Sequence, residues 1–140
     1  MMRLLLDTNI YSFMLQNPEA LSRDVCALLE DYENQKYLSM ESLRELIVAF
    51  RTKGLLTSRW KHEREMVEFI LHDPSVTIDP VDAYVMRQMA DLNINTAQNH
   101  KDPSDHIIIA QAIAHRMTLI SADGKFPFYR NQGLDLVENK

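Results

Sequence analysis

A chain of 140 residues that is 46% apolar and 25% charged can fill one hydrophobic core and carries no compositional sign of disorder, so a single domain over residues 1–140 is expected. The formal net charge of −5 argues against a protein that coats nucleic acid by bulk electrostatics, and the one cysteine, Cys26, rules out an internal disulfide. The apolar start stops at Asp7 after three leucines, too short for a secretion signal or a membrane span, so a cytoplasmic location without a membrane partner is expected.

Leu4 to Leu6 predicts a short, continuously apolar strand, followed by Asp7-Thr8-Asn9 and a helix from about Ile10. Val25, Leu28, Leu29 and Tyr32 recur at helical spacing and predict a helix from Pro18 or Ser22 to Glu33. Tyr37 to Ser39 reads as a strand running into a helix whose apolar stripe is Leu43, Leu46, Ile47 and Phe50. A helix over Ser58–Leu71 and a strand over Val76–Ile78 come next, and Asp79-Pro80 reads as the cap and first turn of a helix over Val81–Asp91. Asp102-Pro103 opens a mostly apolar helix over Ser104–His115, and Thr118–Ser121 and Leu134–Val137 are the last strands. Gly54, Gly124 and Gly133 all fall where elements should end. Short apolar strands alternating with helices imply an α/β fold, a three-layer α/β/α sandwich around a mainly parallel sheet of about five strands.

On this plan Asp7 and Asp123 follow strands, while Glu45 and Asp105 lie in the first two turns of helices. Each has an ordinary explanation alone: Asp7 as a helix cap, Asp105 as a first-turn acid favoured by the helix dipole, Asp123 as a turn residue before Gly124, Glu45 as a solvated helix position. In a parallel sheet, however, all of these handover points lie on one carboxyl edge. Carboxylates gathered there repel one another and call for cations. Hard oxygen ligands favour Mg²⁺ or Mn²⁺, the usual platform for phosphoryl transfer. Glu41, one turn before Glu45 on the same helix face, can share or replace it, and Asp102 can assist beside its capping role. Thr8 and Ser121 can hydrogen-bond a carboxylate or satisfy local backbone. Arg51, Lys53, Arg59, Lys61 and Arg64, with Trp60 among them, form a basic stretch that reads either as helix surface or as an RNA contact. His62, His72, His100 and His115 show no ligand-like spacing and read as surface or structural residues.

The same residues resemble a known family, the PIN-domain nucleases, and in particular the VapC-like toxin of type II toxin–antitoxin pairs. Leu4-Leu5-Leu6-Asp7-Thr8-Asn9 is similar to that family's opening strand and first acid, and Ser39 with Glu45 to its second motif. Asp102-Pro103-Ser104-Asp105-His106-Ile107-Ile108-Ile109-Ala110-Gln111-Ala112 resembles the third, and Leu119-Ile120-Ser121-Ala122-Asp123 with Phe126 and Tyr129 the fourth. The resemblance implies Mg²⁺ or Mn²⁺ held by Asp7, Glu45, Asp105 and Asp123, hydrolysis of RNA, a small antitoxin partner, and a homodimer or a toxin–antitoxin hetero-oligomer. His106 stands where such proteins commonly carry arginine, so any carboxylate or substrate contact there would be weaker or pH-dependent. A haloacid-dehalogenase-like phosphatase would need an aspartate where Asn9 stands, and a phospho-receiver would need paired acids after its first strand. The remaining alternative is a catalytically inactive PIN-like RNA-binding or scaffold protein.

Overall fold

The computed structural model describes residues 1–140. In chain order the main elements are β1 (Arg3–Leu6), α1 (Thr8–Gln16), α2 (Arg23–Glu30), β2 (Gln35–Ser39), α3 (Met40–Lys53), α4 (Glu63–Leu71), β3 (Thr77–Asp79), α5 (Ala83–Asp91), α6 (Pro103–Ala114), β4 (Thr118–Ser121) and β5 (Asp135–Glu138). Short 3-10 segments occupy Pro18–Ala20 and Phe126–Gln132. The sheet has five strands in the order β3-β2-β1-β4-β5, and every pairing is parallel. The expected three-layer α/β/α sandwich is therefore present.

The leucines of β1 show why the strand is apolar throughout. Alternate side chains point to opposite faces. Leu4 and Leu6 join a core with Val25, Leu43, Leu46 and Met66 from α2, α3 and α4, whereas Leu5 joins a second core with Val85, Ile108, Ile109 and Phe126 on the other face. All three leucines are fully buried. Truncating any of them to alanine costs about 2–5 kcal/mol, because a central strand covered on both sides cannot collapse into the space left. From β1 the chain steps outward to β2 and β3, then returns to the opposite side of β1 for β4 and β5. That reversal opens a crevice at the carboxyl ends of β1 and β4, the usual ligand position in an open parallel sheet.

The helices around the crevice start and stop on local signals. Ser39 accepts the Glu41 backbone N–H and caps α3, and Gly54 ends it at φ +68°, a backbone that suits glycine. Asp102 accepts the Ser104 N–H, and Pro103 sits in the first turn of α6. Several boundaries depart from the sequence expectation. The helix expected to Glu33 ends at Glu30, and Tyr32 is fully exposed rather than packed. The helix expected from Ser58 begins at Glu63, where the His62 side chain accepts the Arg64 N–H as its cap; before it the chain turns at Leu56, whose φ of +66° costs a non-glycine residue about 1–2 kcal/mol while its side chain is buried. Asp79 ends β3 instead of capping a helix. Its carboxylate is taken by Gln111 Nε2 and His115 Nδ1, both at 2.6 Å, and Asp82 caps α5 in its place.

Candidate active site

Asp7 leaves β1 with its backbone N–H still donating to the Ile120 carbonyl of β4 at 3.0 Å, so it is anchored across the crevice. One carboxylate oxygen accepts the Thr8 N–H at 2.9 Å and the other accepts the Ser121 hydroxyl at 2.8 Å. Ser121 Oγ in turn accepts the Asp123 N–H at 3.1 Å, which fixes the turn carrying Asp123. Thr8 Oγ1 donates to Glu45 at 2.6 Å, joining the start of α1 to α3. Of the two uses open to these hydroxyls, each makes a bond to a carboxylate: Thr8 to Glu45 and Ser121 to Asp7.

Asp105, in the first turn of α6, is common to two groups whose ligand atoms lie within 4.8 Å of one another: Glu45, Asp102 and Asp105, and His100, Asp105 and Asp123. Asp7, Glu45, Asp102, Asp105 and Asp123 all line one cleft of about 400 Å³. A larger hollow of about 760 Å³ runs along Leu29–Tyr37 and Pro74–Thr77, but none of these acids reaches it. Chemistry, not size, singles out the smaller cleft.

Burial pushes the carboxyls of Asp7, Glu45 and Asp105 up to about 7. Hydrogen bonds from Ser121 and Thr8 pull Asp7 and Glu45 back only partly, and repulsion from neighbouring acids raises all three further. No Lys or Arg pairs with any of the five acids; the nearby guanidinium, that of Arg44, pairs with Glu41 while its exposed side chain still lines the cleft. Buried carboxylates that meet only neutral donors are stabilised in their charged form by a cation placed among them. The donor set, made of carboxylate oxygens, fits a hard divalent ion such as Mg²⁺ or Mn²⁺.

The structure sorts the remaining candidates. Glu41 is not an interchangeable partner for Glu45: it is buried, chelated by the Arg44 guanidinium and bonded to the Ser104 hydroxyl, whereas Glu45 faces the cleft. Burial alone would raise the Glu41 carboxyl, but the Arg44 and Ser104 bonds outweigh it and lower it. Asp102 both caps α6 and joins the acid cluster. His106 turns away from the acids, and its Nε2 donates to the His100 carbonyl at 3.0 Å, so it does not fill the place of a cleft arginine. The basic stretch divides. Lys53 lines the cleft. Arg51 instead pairs with Glu63 at 2.6 Å, and Arg59 donates to the Leu15 carbonyl while its guanidinium lies 4.9 Å from the Trp60 ring centre. Lys61 is exposed and outside the cleft lining.

Two residues escaped the sequence reading. Arg44, next to Glu45, lines the cleft with Lys53 and feels the charges of Glu45 and Asp102. His100, expected to be surface or structural, is buried with Nε2 2.9 Å from Asp105 Oδ2. Burial lowers the His100 imidazole and raises the Asp105 carboxyl, so the pair is a neutral-donor hydrogen bond rather than an ion pair.

A family model described as PIN domain matches residues 4–132. No curated protein matches the chain by sequence. Among solved structures the chain is similar to VapBC2 from Rickettsia felis bound to a DNA fragment from their promoter, with a TM-score of 0.71, 20% identity, and 99% of this chain and 100% of that chain covered. It is also similar to VapBC-1 from nontypeable Haemophilus influenzae, with a TM-score of 0.67, 20% identity and 98% of each chain covered. The crystal structure of FitAcB from Neisseria gonorrhoeae matches with a TM-score of 0.65, 26% identity and 96% of each chain covered. No helix is long and apolar enough to cross a membrane.

Proposed function

This chain belongs to the PIN-domain family, and on that premise we propose that it is a divalent-metal-dependent endoribonuclease, the toxin of a toxin–antitoxin pair. The observation that carries the reading is the convergence of Asp7, Glu45, Asp105 and Asp123 on one cleft without a lysine or arginine to neutralise them. Asp7, Asp105 and Asp123 would hold Mg²⁺ or Mn²⁺, with Asp102 at the rim. Such ions supply a Lewis acid for the scissile phosphate and make water nucleophilic near neutral pH.

The side chains divide the remaining work. Glu45, with a carboxyl near 7 and an orienting bond from Thr8, is poised to accept a proton from the attacking water. Ser121 keeps Asp7 and Asp123 in register across the crevice. Arg44 and Lys53 give the cleft a basic wall on which the phosphate backbone can lie, which reconciles an acidic protein with an anionic substrate. The test is incubation of total RNA, and separately of DNA, with the purified chain and Mn²⁺. RNA fragments absent from an Asp7→Asn control support the reading, and intact RNA contradicts it.

A further similar solved structure is described as a toxin–antitoxin complex from Klebsiella pneumoniae, and the cleft of this chain suits a small antitoxin that inserts an Arg or Lys among the acids. In such a complex the chain would be part of a homodimer or a hetero-oligomer. Expression of the wild type should slow growth, and co-expression of the neighbouring small gene should restore it.

A further inference from the structure

His100 sits in the loop between α5 and α6, 1% exposed, with a ring bounded on three sides by aromatic neighbours. Its centroid lies 4.8 Å from that of His106, 5.6 Å from Phe126 and 5.6 Å from Tyr129. The backbone is held as firmly. The His100 N–H donates to the Asn95 carbonyl at 3.0 Å, and its own carbonyl accepts from His106 Nε2 at 3.0 Å.

The protons on this network can be assigned by counting donors. The buried Tyr129 hydroxyl accepts the Asn95 backbone N–H at 3.1 Å, and the acceptor for its own proton is His100 Nδ1 at 3.0 Å. With Nδ1 accepting, the imidazole proton sits on Nε2, 2.9 Å from Asp105 Oδ2. Asn95, Tyr129, His100 and Asp105 thus form one directed chain of hydrogen bonds, starting on buried backbone and ending on the acid shared by both ligand groups. An isolated first-turn aspartate rotates freely about its last torsion. Here that rotation is fixed, and both carboxylate oxygens are held relative to Glu45, Asp102 and Asp123.

We propose that His100 is a positioning residue of the acid cluster: held by Tyr129, it orients the Asp105 carboxylate for the divalent cation through the Nε2–H to Oδ2 hydrogen bond. The inference rests on the cation reading of the cleft. Hydrogen-bond partners of metal-binding carboxylates typically govern affinity by roughly 10- to 100-fold when removed.

The experiment is calorimetric titration of the full-length chain with Mn²⁺, with melting curves recorded without metal, for Asp105→Asn, His100→Leu, His100→Gln and Tyr129→Phe. His100→Leu is expected to weaken Mn²⁺ by roughly 10- to 100-fold, and His100→Gln, whose amide N–H can reach Asp105, to recover most of that loss. A purely structural His100 would lower the melting temperature and leave Mn²⁺ affinity where it was, which would overturn the proposal. Equal loss in His100→Gln and His100→Leu would also overturn it, because the imidazole would then be a direct ligand. Should His100→Leu fail to fold, Tyr129→Phe decides: a several-fold weaker Mn²⁺ affinity supports the chain of bonds and an unchanged affinity refutes it. If Asp105→Asn binds Mn²⁺ as the wild type does, the cation reading falls and this inference with it. If Asp105→Asn is weak and His100→Leu is not, only the positioning role is lost.

Discussion

Asp7→Asn should make the metal-free protein more stable and the metal-loaded protein relatively less so. The folded chain holds the Asp7 carboxyl at about 7 against an ordinary 3.8. Between those values the folded state retains a proton that the unfolded chain has released, so stability falls as pH rises through that window and levels off above it. The rise from 3.8 to about 7 puts the full cost of ionising Asp7 at about 4 kcal/mol. Asparagine avoids this cost and can still accept the Thr8 N–H, but the Ser121 hydroxyl must find a new acceptor, a loss of about 1 kcal/mol. The net gain is about 2–3 kcal/mol at about pH 7.5, or roughly 5–10 °C for a chain of this size, and it falls through zero and reverses by about pH 4, where only the Ser121 loss remains. Mn²⁺ at about 100 times its dissociation constant should then stabilise the wild type by about 2.7 kcal/mol and the variant far less, closing or reversing the order. Thermal melts in chelator and in Mn²⁺ across that pH range provide the assay. A variant less stable than wild type in chelator at neutral pH, or one with the same Mn²⁺ shift, would refute the reasoning.

The paired glutamates should separate cleanly: Glu45→Gln is expected to abolish cleavage and weaken Mn²⁺ binding, whereas Glu41→Gln should cost about 1–3 kcal/mol of stability through its Arg44 and Ser104 bonds while Mn²⁺ titrations overlay the wild type. Arg44→Ala and Lys53→Ala should each weaken RNA binding and reduce its logarithmic salt slope by about 0.7, while charge reversal at Arg51 or Arg59 lowers the denaturation midpoint with little effect on that slope. His115 bridges Asp79 and Asp82, and although burial alone would lower its imidazole, those two bonds raise it. A raised folded value means the contribution is fully present below the unfolded value of about 6.5 and lost as pH rises through the folded one, so the urea-midpoint difference between wild type and His115→Gln should be largest in mild acid and fade in alkali.

The four acids were legible because each follows a strand or lies in the first two turns of a helix in a chain whose strands all pair in parallel; the carboxyl edge is then fixed by topology alone. Asp102-Pro103 likewise announced α6 through local backbone chemistry. His100 was illegible for the opposite reason. Its partners include Tyr129, 29 residues later, and the polar loop around it has no periodicity to mark a buried side. Its place five residues before Asp105 and two before a helix cap was the available signal. Arg44 was missed because charge density drew attention to residues 51–64, where Arg59 lies over the Trp60 and Phe69 rings and Arg51 and Arg64 pair with Glu63 and Glu68: a guanidinium over an aromatic ring or beside a carboxylate reads the same in sequence as one facing a phosphate. The misplaced helix cap at Asp79 has the same origin, since only tertiary contact reveals that Gln111 and His115 claim its carboxylate.

Metal reconstitution shows whether the converging acids create a divalent-cation site that hydrolyses RNA. Protein stripped with chelator is given a defined RNA, and cleavage is followed as Mn²⁺ or Mg²⁺ is added back to the wild type and to Asp105→Asn. No cleavage is expected before the ion is restored, with saturable recovery in the wild type and none in Asp105→Asn at any ion concentration the RNA tolerates. Cleavage that proceeds in chelator, or that returns equally in Asp105→Asn, would contradict the cation-site reading.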